Sequence, residues 1–220
     1  MLIICDFDGT VTARDTNSTL ARRFAPDTFA GLEGKLGRRE LTLREVLSAE
    51  FRDVRVGLDA MLEVAMEIPL RDGFEQFLDA ADEHDATAVL LSSGFREFIE
   101  PMLHNAGLHG RVPLVANSIR LDETGGHVTW RDLPECDLCG EPCKRHDVAQ
   151  LRAEHATPET TVVFVGDGFS DRCGAESADR VFARDSLASY LDKHGHAYEA
   201  WDDFTDVMQM LGFDRAEAAR

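Results

Sequence analysis

Two aspartates with one residue between them, Asp6 and Asp8, directly follow an apolar run at residues 2–5. Residues two apart in a strand point to the same side, so both carboxylates are expected to leave the end of this run together. Carboxylates this close repel each other unless one is protonated or a cation lies between them. The pair is therefore a candidate metal or acid–base site, and the alternative is a turn rich in Asp and Gly after an edge strand.

A second acidic group and a hydroxyl group follow two later apolar runs. Asp167 and Asp171 come after residues 161–165, and Ser92, Ser93 and Gly94 come after residues 86–91 and before a helical pattern. Hydroxyls and free backbone N–H groups at the start of a helix can bind an anion. Each group is also a common turn sequence, and Lys144, which lies between them, would by itself be a surface lysine.

Five short apolar runs predict the strands that carry these groups. They are residues 2–5, 86–91, 112–115, 161–165 and 181–183. Their Val, Ile and Leu residues do not alternate with polar ones, which indicates strands buried on both faces of a parallel sheet. With helical patterns between them, the runs predict a Rossmann-like α/β core whose ligands bind at the carboxyl ends of the strands. A β-hairpin is expected at residues 116–130, with Gly125 and Gly126 in its turn.

The stretch between the first strand and residue 70 contains helical patterns only. Thr42 and Glu45 have the spacing of a capping box ahead of the apolar residues Val46, Leu47 and Phe51. About 55 residues is longer than a crossover connection requires. We therefore predict an all-helical cap domain at residues 13–69, inserted into a core formed by residues 1–12 and 70–220.

The charge balance restricts the partners. The chain has 23 Lys and Arg against 41 Asp and Glu, a formal net charge of −18, which repels nucleic acid and anionic membranes. No apolar run reaches the roughly 18–20 residues that a membrane span needs, and the first residues do not have the pattern of a signal peptide. The five cysteines do not have the spacing of a secreted disulfide framework. We expect a cytoplasmic protein with a small-molecule partner; the sequence carries no signature of its oligomeric state.

The order of the acidic pair, the hydroxyl group, the lysine and the second acidic pair resembles the haloacid dehalogenase superfamily of aspartate-nucleophile phosphatases. The position of the helical insertion is similar to that in the phosphoserine-phosphatase-like branch, subfamily IB. Within that branch the chain resembles the methionine-salvage phosphatases. The residues that carry this last resemblance are Phe24, Ala25, Pro26, Trp130, Cys143 directly before Lys144, and Phe182, Ala183, Arg184 and Asp185.

The resemblance implies a role for each motif. Asp6 would be the nucleophile, and Asp8 would be the general acid and then the general base. Mg²⁺ would be held by Asp6, the backbone carbonyl of Asp8, and Asp167, with Asp171 in support. The transferring phosphoryl oxygens would be bound by a set of backbone and side-chain groups: Gly9, Thr10, Ser92, Ser93, Gly94 and Lys144.

The resemblance thus implies a magnesium-dependent phosphatase that hydrolyses a small phosphate monoester of the methionine-salvage type through an aspartyl phosphate. A phosphoserine or phosphocholine-type phosphatase is the alternative; a phosphotransferase or a non-catalytic binder of a phosphorylated metabolite is more distant. Asp15 could meet a substrate amine, but residues 48–50 are Ser, Ala and Glu, where the branch is expected to place an arginine for a carboxylate. The predicted substrate is therefore an uncharged keto or sugar-derived phosphate.

The cysteines leave three interpretations open. Cys136, Cys139, Cys143 and His146 have the residue types and spacing of a zinc-binding loop, and Cys173 could replace the histidine. Free or redox-active thiols and a disulfide are the alternatives. Structural Zn²⁺ is therefore a second expected cofactor beside Mg²⁺.

Overall fold

The computed structural model describes residues 1–213, and within them one sheet has the strand order β4-β3-β2-β1-β5-β6-β7. All neighbouring strands are parallel except β3 and β4. The predicted core boundary at residue 220 lies outside the described residues. The strands are β1 (Leu2–Cys5), β2 (Thr87–Phe95), β3 (Leu114–Asp122), β4 (Gly125–Thr129), β5 (Val162–Gly166), β6 (Arg180–Ala183) and β7 (Glu199–Ala200).

Helices cover both faces of this sheet, and among residues 1–213 none is long and apolar enough to cross a membrane. The helices are α1 (Thr16–Phe24), α2 (Pro26–Leu32), α3 (Leu43–Arg52), α4 (Leu58–Ala65), α5 (Phe74–Glu83), α6 (Arg96–Asn105), α7 (Lys144–His155), α8 (Arg172–Ala175), α9 (Asp185–His194) and α10 (Phe204–Leu211).

Strand β1 lies at the centre of the sheet and shows why the apolar runs do not alternate. Ile3 and Cys5 belong to the apolar cluster on one face, and Leu2 and Ile4 to the cluster on the other. All four side chains are buried. The predicted α/β fold with a parallel central sheet is thus confirmed, because both faces of the central strand are covered and both need apolar residues.

Helices α1–α4 form the insertion between β1 and α5. The capping box of Thr42 and Glu45 is present at the start of α3, as the spacing predicts. The apolar face of α3 packs on the core: the Phe51 ring meets the Phe95 ring edge-on, with 4.9 Å between centroids. The insertion therefore shares one continuous apolar cluster with the sheet and its helices.

The two connections between the insertion and the core run side by side. Thr12 and Leu70 form an isolated antiparallel bridge. The Ala13 N–H donates to the Pro69 carbonyl at 2.9 Å, and the Arg71 N–H donates to the Val11 carbonyl at 2.7 Å. The segment that enters the insertion and the segment that returns to the core are thereby held together next to the loop that follows β1.

Strand β2 is longer than its apolar run predicts. Ser92, Ser93 and Gly94, expected in a turn, lie in its last residues, and the pairing with β3 shifts between Leu91 and Phe95. A register shift of this kind bends a strand and re-aims its side chains, as a β-bulge does. The segment with Ser92, Ser93 and Gly94 therefore lies at the end of a strand and not at the start of a helix.

The predicted hairpin exists, but its turn is not where the glycines are. Asp122 pairs with Gly125, so Glu123 and Thr124 form the turn, and β3 begins and ends later than the predicted run at residues 112–115. A Cβ at Gly125 would lie 2.0 Å from the Arg52 carbonyl oxygen of α3. The glycines are therefore needed for the close approach of β4 to α3. Strand β7 was not predicted, because two residues carry no periodic signal.

Candidate active site

The loop after β1 carries the first acidic pair over the edge of the sheet. The Asp6 N–H donates to the Val165 carbonyl at 2.9 Å, which continues the pairing of β1 with β5 by one residue. A wide helical turn, Phe7–Val11, then reverses the chain. Gly9 has φ +89°, and a Cβ there would lie 2.5 Å from an Asp167 carboxylate oxygen. Gly9 is therefore required by both conformation and space.

Three carboxylates and one ammonium meet at the carboxyl ends of β1 and β5. One oxygen from each of Asp6, Asp167 and Asp171 lies within 4.8 Å of the others. The Lys144 ammonium, fully buried at the start of α7, donates to Asp6 and, at 2.7 Å, to Asp171. The Thr10 hydroxyl donates to Asp167 at 2.8 Å. The structure thus brings together four of the predicted catalytic and metal-binding side chains.

The charges in this cluster do not balance. Burial raises the pKa of Asp6 well above its usual value, and the nearby Asp171 adds to this. Burial and Asp171 raise the pKa of Asp167 to about 7. Burial alone would lower the pKa of Lys144, but Asp171 and Asp6 raise it. One ammonium against three carboxylates, of which Asp6 and Asp171 are buried and Asp167 is partly buried, leaves an all-oxygen set that lacks positive charge. Such a set fits a divalent hard cation such as Mg²⁺.

Asp8 stands apart from the three carboxylates. Its side chain is outside the group that could share one ion. The Ser92 hydroxyl donates to the Asp8 carboxylate at 2.9 Å and accepts from the Gly94 N–H at 2.8 Å. Burial raises the pKa of Asp8 to about 6, and the neighbouring Asp15 adds to this. A carboxyl group with such a pKa can give and take a proton near neutral pH, as the predicted acid–base role requires.

Two of the predicted phosphate-binding N–H groups already have acceptors within the chain. The Gly9 N–H donates to the Thr12 hydroxyl at 2.9 Å, and the Gly94 N–H donates to Ser92. Both bonds shape the loops in this structure, and binding of phosphoryl oxygens by Gly9 and Gly94 stays a prediction. Ser93 lines the cavity described next.

A cavity of about 140 Å³ lies between the carboxylates and the insertion. On the insertion side, α3 contributes Leu43, Val46, Leu47 and Glu50, and Asp15 at the start of α1 faces the same space. Glu50 is only 6% exposed. Burial, with a smaller contribution from Asp15, raises its pKa to about 7. The cavity therefore has an acidic wall formed by the core and a mainly apolar wall formed by the insertion.

Arg71 supports the loop after β1 and was missed by the sequence analysis. Its guanidinium donates to the Thr10 carbonyl at 2.8 Å and to the Gly9 carbonyl at 2.6 Å. It also lies over the Trp201 ring, 5.4 Å from the centroid. A single arginine after a long insertion belongs to no motif, so only the pairing of the two connections could have identified it.

A second cluster consists of cysteines. The sulfur atoms of Cys136, Cys139, Cys143 and Cys173 all lie within 4.8 Å of one another. His146, expected as the fourth ligand, is not in this group, and its ring nitrogen lies 3.3 Å from the Glu135 carbonyl oxygen. The reason is helical geometry: the inward face of α7 is taken by residues such as Lys144 and Asp147.

Comparisons with known proteins identify the family of the chain. The family of haloacid dehalogenase-like hydrolases matches residues 3–176. The chain belongs to this family. A relative from Microcystis aeruginosa (strain NIES-843 / IAM M-2473), named 2-hydroxy-3-keto-5-methylthiopentenyl-1-phosphate phosphatase, is 30% identical over 222 residues, covering 96% of this chain and 97% of its own. A protein of the same name from Bacillus cereus (strain AH187) is 28% identical, covering 95% and 94%.

Solved structures show the same fold. The phospho-aspartyl intermediate analogue of a phosphoserine phosphatase has a TM-score of 0.73 at 17% identity, over 95% of this hydrolase and 97% of that chain. A phosphoserine phosphatase in apo form has a TM-score of 0.70 at 19% identity, over 94% and 97%. The predicted superfamily and the phosphoserine-phosphatase-like fold are confirmed.

Proposed function

We propose that this hydrolase removes phosphate from 2-hydroxy-3-keto-5-methylthiopentenyl-1-phosphate through an aspartyl phosphate on Asp6. The observation that carries the reaction type is the cluster of Asp6, Lys144, Asp167 and Asp171 at the carboxyl ends of β1 and β5. The named ester comes from relatives that match the chain over nearly their whole length. Residues 13–69 act as the cap over this cluster, and residues 1–12 and 70 onward act as the catalytic core.

The first half of the reaction transfers the phosphoryl group to the protein. A carboxylate oxygen of Asp6 forms a bond to phosphorus while the bond from phosphorus to the substrate oxygen breaks. Asp8 gives its proton to that leaving oxygen, and the dephosphorylated product departs. The hydrogen bond from the Ser92 hydroxyl holds the Asp8 carboxyl group in place for this transfer.

The second half returns the protein to its starting state. Asp8, now a carboxylate, takes a proton from a water molecule as the water oxygen bonds to phosphorus. The bond from phosphorus to Asp6 breaks, and inorganic phosphate leaves. Asp6 is again a carboxylate and Asp8 again carries a proton, so the only substrates consumed are the ester and one water.

The remaining charged groups position the reactants. Asp6, Asp167 and the Asp8 backbone carbonyl would hold Mg²⁺, with Asp171 in support. When bound, the ion supplies the positive charge that lets a phosphate dianion approach a carboxylate. Asp171 holds the Lys144 ammonium and accepts from the Asp167 and Gly168 N–H groups at 3.0 and 2.9 Å. Lys144, Thr10, Ser92 and Ser93 orient the phosphoryl oxygens.

The insertion favours an uncharged substrate chain. None of the described residues that line the cavity is Lys or Arg, whereas Asp15 and Glu50 both face it. The carboxylate of phosphoserine would therefore meet repulsion, with no guanidinium to bind it. The apolar side chains of α3 instead fit a keto compound with a thioether tail. We infer that the neutral ester is preferred over phosphoserine.

Phosphate release from a panel of esters tests the proposal. With Mg²⁺ present, kcat/KM for the methionine-salvage ester should exceed that for L-phosphoserine and phosphocholine by roughly 100-fold or more. Asp6→Asn protein, purified in the same way, measures any contaminating phosphatase. A higher value for L-phosphoserine than for every neutral ester would reverse the substrate assignment. Phosphate transfer to an added alcohol with no release to water would identify a phosphotransferase instead.

A further inference from the structure

We propose that this hydrolase holds one structural Zn²⁺ ion in a closed site made of four thiolates. The ligands are Cys136, Cys139, Cys143 and Cys173. The site is separate from the carboxylate cluster, and nothing in the proposed reaction requires it.

The first support is the mutual distance of the sulfur atoms. Each of the four lies within 4.8 Å of the other three. Zinc–sulfur bonds of about 2.3 Å in a tetrahedron place the sulfurs about 3.8 Å apart, so small shifts would close this group on one ion. Four sulfur ligands in a tetrahedral arrangement are typical of structural zinc sites and of iron–sulfur centres, and they leave no open position for substrate.

The second support is the shape of the segment that carries three of the ligands. Residues 131–143 contain no helix or strand. The Gly140 N–H donates to the Cys136 carbonyl at 2.8 Å, and Gly140 has φ +74°, so the chain turns tightly between the first and third cysteine. Cys136 is buried, whereas Leu138 at the tip is 57% exposed. The three thiols of this segment converge on one point, with Cys136 buried and Cys139 and Cys143 partly buried. A metal ion at that point would give the loop the centre that its few apolar side chains do not supply.

The arrangement favours one ion over the two other interpretations. Two disulfides would need the sulfurs to form two separate pairs, with about 2.0 Å between the two sulfurs of each pair. Here all four sulfurs converge in one group. A site of three cysteines and one histidine would need His146, whose ring nitrogen lies beside the Glu135 carbonyl oxygen instead. Cys173, from α8, takes that place and brings a second element into the site.

The zinc ion would tie together the two elements that carry the buried lysine and its partner. Cys143 directly precedes Lys144, and Cys173 follows Asp171 by two residues. The Lys144 ammonium donates to the Asp171 carboxylate at 2.7 Å. A tetrathiolate centre would therefore fix α7 against α8 close to this ion pair. Its role is positional, since none of the four sulfurs belongs to the carboxylate cluster.

Elemental analysis of the full chain, purified without chelator, tests the site. Wild-type protein should carry about one zinc per chain, and Cys139→Ser and Cys173→Ser should carry less than ~0.2. Three variants serve as controls and should keep the zinc: His146→Gln, Cys5→Ala at the cysteine outside the group, and Asp6→Asn. The last of these separates the zinc site from the proposed reaction, because it abolishes the nucleophile and leaves every thiol intact.

A spectroscopic measurement keeps the test valid if the cysteine variants fail to fold. Wild-type protein loaded with Co²⁺ should show the thiolate charge-transfer and intense visible bands of tetrahedral cobalt, and added Zn²⁺ should remove them. The four thiols should react with a thiol reagent only after chelation. Zinc absent even after growth and purification with Zn²⁺, disulfides found by mass spectrometry, iron in place of zinc, or zinc lost on His146→Gln but kept on Cys173→Ser would each overturn the proposal.

Discussion

The two walls of the cavity are built differently. The core wall is formed by Asp6, Asp8 and Asp167 at the ends of strands, and each carboxylate there accepts a hydrogen bond from a buried side chain. The insertion wall is formed by α3 and the start of α1, and within the described part of the chain no protein group donates to the carboxyl of Glu50. Hydrogen bonds therefore fix the carboxylates of the core wall, while the Glu50 carboxyl on the insertion wall stays free to bind a ligand.

This difference separates chemistry from selectivity. In the proposed reaction, groups on the core wall touch the phosphoryl group, which every phosphate ester shares, so changes there should affect all esters alike. Groups on the insertion wall face the rest of the substrate, so changes there should act on some esters only. Each of the following experiments tests one wall or the contact between them.

The largest effect is expected for Asp6→Asn on the core wall. The amide cannot form the phosphoryl bond, so kcat should fall by at least roughly 10³-fold for p-nitrophenyl phosphate and for the methionine-salvage ester alike. Phosphate release measures activity, and circular dichroism checks that the fold is retained. A loss confined to one ester would contradict the division between the walls.

Removal of divalent cations should come next in size. Chelation should lower turnover of every ester by at least roughly 100-fold, because the carboxylates of Asp6, Asp167 and Asp171 would then face the phosphate dianion with only Lys144 to offset their charge. Mg²⁺ should restore the activity, and Ca²⁺, which is larger and accepts more ligands, should restore less. Full activity in the presence of chelator would remove the metal from the proposal.

Gly94→Ala tests the point where the two walls touch. A Cβ at Gly94 would lie 2.6 Å from an Asp8 carboxylate oxygen and 2.7 Å from the Asn17 amide nitrogen. The acid–base group must then move, so turnover of all esters should fall by roughly 10-fold or more and stability by about 1–3 kcal/mol. Gly31→Ala on α2, where a Cβ would meet nothing within 4 Å, is the matched control and should leave activity unchanged.

The core wall could be predicted from the sequence because parallel strands present their carboxyl ends at one edge. Asp6 and Asp167 follow apolar runs that the structure confirms as β1 and β5, so their meeting required only the sheet. Cys173 could not be ranked above His146, since that choice depends on which face of α7 turns inward. Arg71 and the placement of Gly125 were likewise beyond reach, because they depend on how the insertion packs on the core.

The position of Glu50 on the insertion wall was equally hidden, since a glutamate on an amphipathic helix is most often exposed. The structure shows it 6% exposed, with Val46, Leu47 and Phe51 of the same helix buried beside it. Its burial was therefore decided by the orientation of α3 over the cavity. This burial has a consequence for stability that can be measured without any substrate.

The smallest effect is expected for Glu50→Gln, which should make stability less dependent on pH. Burial, aided by Asp15, raises the pKa of Glu50 from 4.5 to about 7 in the folded state. The folded protein therefore binds this proton more tightly than the unfolded chain. The contribution of protonated Glu50 to the free energy of unfolding is accordingly lost as pH rises from about 4.5 to about 7. Gln cannot ionise, so the variant should gain on wild type by up to about 3 kcal/mol at pH 8 relative to pH 4.

Urea unfolding at pH 4 and pH 8 measures the difference between the two proteins, in which the other titrating groups cancel. Glu63→Gln on α4, where the side chain is exposed, is the control and should differ from wild type by less than about 0.5 kcal/mol at both values.

Because Glu50 lies on the insertion wall, its variant should also keep p-nitrophenyl phosphate turnover within roughly 3-fold while kcat/KM for the methionine-salvage ester falls by roughly 10-fold. An equal stability difference at both pH values would show that the Glu50 carboxyl is hydrated in the folded protein, and an equal loss on both esters would place it with the core wall.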